Sequence, residues 1–134
     1  MTAAKRSATW QFGADSNAPA AMRRCVREQL EGWGIVKSDD LELLVSEVVT
    51  NAVRHASSGG ELSLEASPTG FRVEVSDRGS GSPRMRAVEP TEPSGRGLLV
   101  VDAIADAWGV NSEASGLGHT VWFELPLAGG VLQE

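Results

Sequence analysis

Residues 41–56, LELLVSEVVTNAVRHA, constrain this chain more than any other stretch. At about 100° per residue, Leu41, Leu44, Val45, Val48, Val49 and Ala52 fall on one apolar stripe of a helix, while Glu47, Asn51, Arg54 and His55 form an adjoining polar arc. One side of this helix packs. Its neighbour is either a solvated edge or a row of side chains with chemistry to do, and the residues that decide between the two lie downstream. Two glycine-rich turns follow within a single domain's length, Asp77-Arg78-Gly79-Ser80-Gly81 and Gly95-Arg96-Gly97-Leu98.

Around that helix the chain reads in order. Residues 1–6 form a disordered tail, and Ala8-Thr9-Trp10-Gln11-Phe12 alternates as a short strand does. Asp15-Ser16-Asn17 offers N-cap oxygens and Pro19 suits a first turn, so a helix is expected from there to about Trp33, with Met22, Cys25, Val26, Leu30 and Trp33 on one face. Gly32 and Gly34 stop it. Ser38-Asp39-Asp40 opens the next helix, with Asp39 and Glu42 at capping-box spacing. Leu62, Leu64 and Ala66, then Phe71, Val73 and Val75, alternate with polar residues on either side of Pro68-Thr69-Gly70, which predicts an antiparallel hairpin ending at Asp77. Residues 82–94 show no period and contain Pro83, Pro90 and Pro93, so a loop is expected there. A helix follows from Gly97 or Leu98, then two strands, Trp108-Gly-Val110 and residues 120–125, and a dispensable tail over 128–134. Strand, helix, helix, two strands, loop, helix, two strands describes an α/β (α+β) two-layer sandwich: a mixed, mostly antiparallel sheet covered on one face by about three helices.

Composition narrows what such a domain can meet. Its 134 residues, 41% of them hydrophobic, suit one compact core. Twelve Lys and Arg stand against 18 Asp and Glu, and a net charge of −6 argues against nucleic acid or an anionic membrane and in favour of a basic partner. The lone Cys25 excludes an internal disulfide, and two separated histidines make no zinc site. With neither an apolar run of spanning length nor a signal-peptide core, a cytoplasmic protein is expected.

The polar arc and the two glycine turns supply what a Mg-nucleotide needs. Asn51 offers an amide oxygen to Mg²⁺, and Glu47, one turn earlier, can take a proton from a hydroxyl or a water attacking a γ-phosphate. Asp77 can accept a hydrogen bond from an exocyclic amine, and Gly79 and Gly81 admit a planar base closely. Gly95 and Gly97 allow tight amide approach to phosphate at a helix N-terminus, with Arg96 adding positive charge. Taken singly, each feature has a plain structural reading. Either G-x-G, or Asp77, is an ordinary turn; Arg96 is a surface arginine; Arg54 covers apolar surface; His55 caps or packs at a helix end; His119 is a strand-edge residue.

Taken together, E-x-x-x-N-A-x-x-H (Glu47 to His55), D-x-G-x-G (Asp77 to Gly81), G-x-G-L (Gly95 to Leu98) and G-x-T (Gly118 to Thr120) resemble the GHKL, or histidine-kinase-like, Bergerat-fold ATPases over roughly residues 7–127. Within that superfamily the chain is most similar to the anti-sigma-factor serine/threonine kinases of the RsbW and SpoIIAB type. The resemblance implies ATP and Mg²⁺ as cofactors, Glu47 as the catalytic base, Asn51 as the Mg²⁺ ligand and Asp77 as the adenine-binding aspartate, with Gly79 and Gly81 lining the base pocket. It implies Thr120 beside that aspartate, and His55, Gly95, Arg96, Gly97 and Leu98 at the nucleotide, with residues 82–94 as the ATP lid. The partners implied are an anti-anti-sigma factor as substrate, a sigma factor and a second copy of the chain. Two other functions fit the same residues: a non-catalytic ATP-binding interaction module, and the ATP-binding half of a split histidine kinase.

Overall fold

The computed structural model describes residues 5–55, 59–77, 93–112 and 119–127, with His55, residues 93–97 and Ser112 by backbone alone. The elements are β1 (Arg6–Phe12), α1 (Ala18–Trp33), α2 (Asp39–His55), β2 (Gly60–Ser67), β3 (Gly70–Asp77), α3 (Pro93–Ile104), β4 (Ala107–Ser112) and β5 (His119–Pro126). The strands form one sheet in the order β1-β2-β3-β5-β4. All four neighbouring pairs are antiparallel, where a mixed sheet was expected. The reason lies in one insertion: β3 and β4 do run the same way, joined through α3, but β5 pairs between them and separates the only parallel couple the connections create.

The core is the contact between this sheet and α2. Leu41, Leu44, Val45, Val48, Val49 and Ala52 are all buried, as their spacing required. They meet the inward residues of the strands: Leu62 and Leu64 of β2, Phe71, Val73 and Val75 of β3, and Val121, Phe123 and Leu125 of β5. Met22, Val26 and Leu30 of α1 close the same cluster. Each fully buried Leu or Val contributes about 1.5–3 kcal/mol over leaving it in water. The alternate residues of the same strands form the outer face, where Thr9 meets Ser63 at 3.2 Å, Ser76 meets Thr120 at 2.9 Å, and Arg72 bonds Glu74 and Glu124 while lying 4.4 Å above the Trp122 ring.

Local signals set the ends of the helices. At α1 the Asn17 side chain makes no cap bond; Asp15 Oδ1 instead accepts the Asn17 N–H at 2.8 Å. Its other end closes on Gly34 at φ 76°, with Gly34 N–H bonding Glu31 O and Ile35 N–H bonding Leu30 O, so a residue without Cβ is what the left-handed turn requires. Buried Ser38 caps α2: its Oγ accepts the Leu41 N–H at 3.1 Å. The expected Asp39–Glu42 capping box is therefore not formed, because Glu42 is drawn sideways to Arg27 of α1. α3 begins at Pro93, not at Gly97 or Leu98; a proline without an N–H fits a helix's first turn, and Gly95 and Gly97 are carried inside the helix. Among the described residues positive φ is confined to Gly34, Gly59 and Gly70.

Candidate functional site

The connections of the fold decide which end of the sheet gathers the polar residues. α2 ends at His55, five residues before Gly60, and Gly60 is the register partner of Asp77. The C-terminal turns of α2 therefore lie at the Asp77 end of the sheet, with α2 packed on β3 and α3. β5 starts at that end too, since Ser76 pairs with Thr120 and Ser112 with His119. At the other end the Asp106 N–H bonds Glu124 O at 2.8 Å, immediately after α3. As the return leg between the parallel strands β3 and β4, α3 brings its first turn, residues 93–97, back toward Asp77 across about 18 Å of helix.

Asn51 is 2% exposed, in contrast to exposed Arg54 one turn on. Its Oδ1 is buried and accepts no hydrogen bond, and the residue is engaged by another interaction, as is Asp77. Glu47 precedes Asn51 by four residues on the same helix face, about 6 Å along the axis, and is half-buried. A hard oxygen donor and a carboxylate thus stand in line on the helix that borders the end of β3. His55 is the last residue of α2. Leu98 is half-buried and packs on the core from α3. Gly95, Arg96 and Gly97 lie in the opening turns of α3. Gly79, Gly81, Gly118 and residues 82–92 of the expected lid lie outside the described residues.

Asp77 has a neighbour that the sequence reading did not give it. The residues of β5 alternate, so His119, Val121, Phe123 and Leu125 face the helices and Thr120 faces the other way. Asp77 shares the inward parity of Val73 and Val75. His119 Nδ1 accordingly lies 3.7 Å from Asp77 Oδ2, with both side chains 5% exposed. Thr120, expected beside the aspartate, is instead bonded to Ser76 on the outer face. The expectation of a strand-edge histidine is corrected likewise: His119 is buried on a strand flanked by β3 and β4. The signal was available, because extending the Val121-Phe123-Leu125 alternation back by two residues reaches His119.

A cleft of about 500 Å³ lies at the opposite end of the sheet, lined by Lys5, Glu65, Thr69, Arg72, Asp106 and Glu124 among others, and forms no part of this gathering. Among the described residues no three His, Cys, Asp or Glu side chains cluster to hold a metal, and no helix is long and apolar enough to cross a membrane.

The model of the histidine kinase-like ATPase domain matches residues 12–125. No curated protein matches at a significant level. Among solved structures, that of the RsbU and RsbW domains of Rv1364c from Mycobacterium tuberculosis shares the fold, with a TM-score of 0.64 and 24% identity over 91% of this chain. This chain spans about a third, 32%, of that one. The histidine kinase domain of the blue-light activated histidine kinase from Erythrobacter litoralis EL346 aligns with a TM-score of 0.48 and 23% identity, covering 92% of this chain and 70% of that one. A family match that runs from the last residue of β1 to the penultimate residue of β5, through every helix and strand between them, makes this chain a member of the histidine kinase-like ATPase domain family.

Proposed function

We propose that this chain is an ATP-dependent serine/threonine protein kinase of the anti-sigma-factor type. It holds Mg-ATP at the Asp77 end of the helix-covered face and transfers the γ-phosphate to a hydroxyl of an anti-anti-sigma partner. When that partner is unavailable, it sequesters a sigma factor. The observation that carries the reading is that the C-terminal turns of α2, with buried Asn51 and with Glu47 one turn before it, lie at the end of the sheet where β3 finishes in the buried side chain of Asp77. Family membership supports ATP as the ligand, and the fold shared with the RsbW-domain protein is consistent with the anti-sigma branch.

In this reading Asp77 accepts the exocyclic amine of adenine, and Gly79 and Gly81 let the base lie against backbone. The opening turn of α3, which contains Gly95 and Arg96, turns its free amides to the phosphates, with Gly97 and Leu98 just behind it and His55 at the end of α2. Asn51 fits Mg²⁺ by donor type: one neutral hard oxygen, with phosphates and waters supplying the remaining ligands, suits an ion that keeps much of its hydration. Bound there, Mg²⁺ supplies charge neutralisation of the phosphates. Glu47 accepts the proton of the attacking hydroxyl, and the helix holds it at fixed distance from Asn51.

The test is phosphate transfer from radiolabelled ATP to a candidate anti-anti-sigma protein. Glu47→Ala is expected to abolish transfer and to retain nucleotide binding. Binding without transfer in the unsubstituted protein, across a panel of candidate partners, would make the chain a non-catalytic interaction module.

A further inference from the structure

Among the described residues two ionisable side chains are buried without a part in the proposed chemistry: Glu42 is taken by Arg27, whereas His119 faces the residue on which base recognition depends. We propose that His119 is a positioning residue for Asp77, whose imidazole sets how strongly that carboxylate accepts the amine of a purine base, so that nucleotide affinity falls when the imidazole is protonated. This rests on reading the Asp77 end of the sheet as the nucleotide site.

The geometry makes the coupling close. Nδ1 of His119 is 3.7 Å from Oδ2 of Asp77, just beyond hydrogen-bond length, in surroundings where both side chains are 5% exposed. Cross-strand register fixes the approach, because Ser76 and Thr120 pair directly and hold each other through a 2.9 Å bond on the opposite face. A neutral imidazole offers the carboxylate at most one uncharged N–H, a weaker donor that an incoming amine can displace. A protonated one closes into a charge-assisted hydrogen bond, about twice as strong as a neutral one, and occupies Oδ2. The carboxylate is then a poorer acceptor for an uncharged amine.

Asp77 is engaged by a further interaction besides His119. The register partners of His119 and Thr120 on β4 are Ser112 and Asn111, neither of them ionisable. Gly60, opposite Asp77 on β2, has no side chain. The next ionisable residue along β5 is Glu124, at the far end of the strand. The C-terminal half of α2 brings half-buried Glu47 and exposed Arg54, with His55 at its end, and the first turn of α3 contains Arg96.

The probe is Mg-ATP, and the comparison is between the unsubstituted protein, His119→Gln and Asp77→Asn at pH 6 and pH 8. Glutamine keeps a polar group at the position and does not titrate. Affinity of the unsubstituted protein is expected to rise about tenfold from pH 6 to pH 8 relative to the change in His119→Gln, in which the nucleotide's own protonation cancels. Calorimetry at pH 6 in two buffers of different ionisation enthalpy should show extra proton release on binding, absent from His119→Gln. Equal pH dependence and equal proton release in the two proteins overturn the proposal, and His119→Thr gives the same comparison if the glutamine variant does not fold. Asp77→Asn separates the two levels of argument. If it abolishes binding at both pH values while His119→Gln matches the unsubstituted protein, the nucleotide site stands and the role of His119 is lost. If Asp77→Asn binds normally, both fall.

Discussion

Arg27 of α1 grips Glu42 of α2 with two hydrogen bonds, from Nε to Oε2 at 3.1 Å and from Nη2 to Oε1 at 2.8 Å. About one turn further along α2, Arg23 Nη1 donates to Ser46 Oγ at 2.9 Å. The two contacts fix the rotation of α2 about its own axis, and with it the direction of Glu47 and Asn51.

The Arg27 hydrogen bonds hold the Glu42 carboxyl below its ordinary value, against the opposing effect of burial. A group whose folded value is depressed stabilises the fold above its unfolded value, about 4.3 for glutamate, and that contribution is lost as the pH falls through the folded one. Glu42→Gln is therefore expected to lower the melting temperature at pH 7 and to have a progressively smaller effect below pH 4 or so. Thermal melts of both proteins across pH 3–7 check this. A constant difference between them would remove the electrostatic account.

Ser38→Ala should cost about 0.5–2 kcal/mol, the usual loss for a helix cap, because its Oγ is buried and accepts the Leu41 N–H. Asp39→Ala should cost little by comparison, since Asp39 is exposed and heads no capping box. Urea titrations of the two variants, compared by midpoint at equal slope, distinguish them.

Leu44→Ala removes a side chain with no exposed surface from the centre of the sheet–helix contact. A loss of about 2–5 kcal/mol is expected, a large part of the stability of a domain this size. The measurement is the free energy of unfolding in denaturant.

Gly60→Ala links stability to the site. An added Cβ would run into the Ser76 carbonyl oxygen and come within 3.0 Å of Phe12 Cζ and 3.1 Å of Asp77 Cα. Backbone cannot step aside as a flexible side chain can, so β2 and β3 must separate beside Asp77. The expected outcome is a destabilisation of about 1–3 kcal/mol, with nucleotide affinity falling further than in Leu44→Ala when both are measured well below their melting temperatures.

Asn51→Ala should leave a protein that binds nucleotide with an affinity no longer dependent on Mg²⁺. Isothermal calorimetry with ATP, in Mg²⁺ and in a chelator, reads this directly. A retained Mg²⁺ dependence would move the cation to other ligands.

How much of this was legible beforehand follows the range of the forces involved. The order of elements and the α2 core stripe came from periodicity, which is local, and so did the β2–β3 hairpin around Pro68-Thr69. Three features were not readable that way. Glu42 stands at capping-box spacing from Asp39 and is taken instead by Arg27, fifteen positions away. α3 starts before its apolar period does, because Pro93 and two glycines read as loop although proline is compatible with a first helical turn. Which of His119 and Thr120 faces Asp77 depends on the register between β3 and β5, since adjacent strand residues point to opposite faces.

α3 is fastened firmly where it ends. Its last turn is tied down three ways, through the fully buried Val101, the Asp106 N–H on Glu124 O, and a 2.8 Å bond from Trp108 Nε1 to Asp102 Oδ1. An anchor made by an indole N–H carries its own reporter, because release of Asp102 would change the surroundings of the Trp108 ring. Its fluorescence is a built-in optical gauge of whether the end of α3 stays fastened.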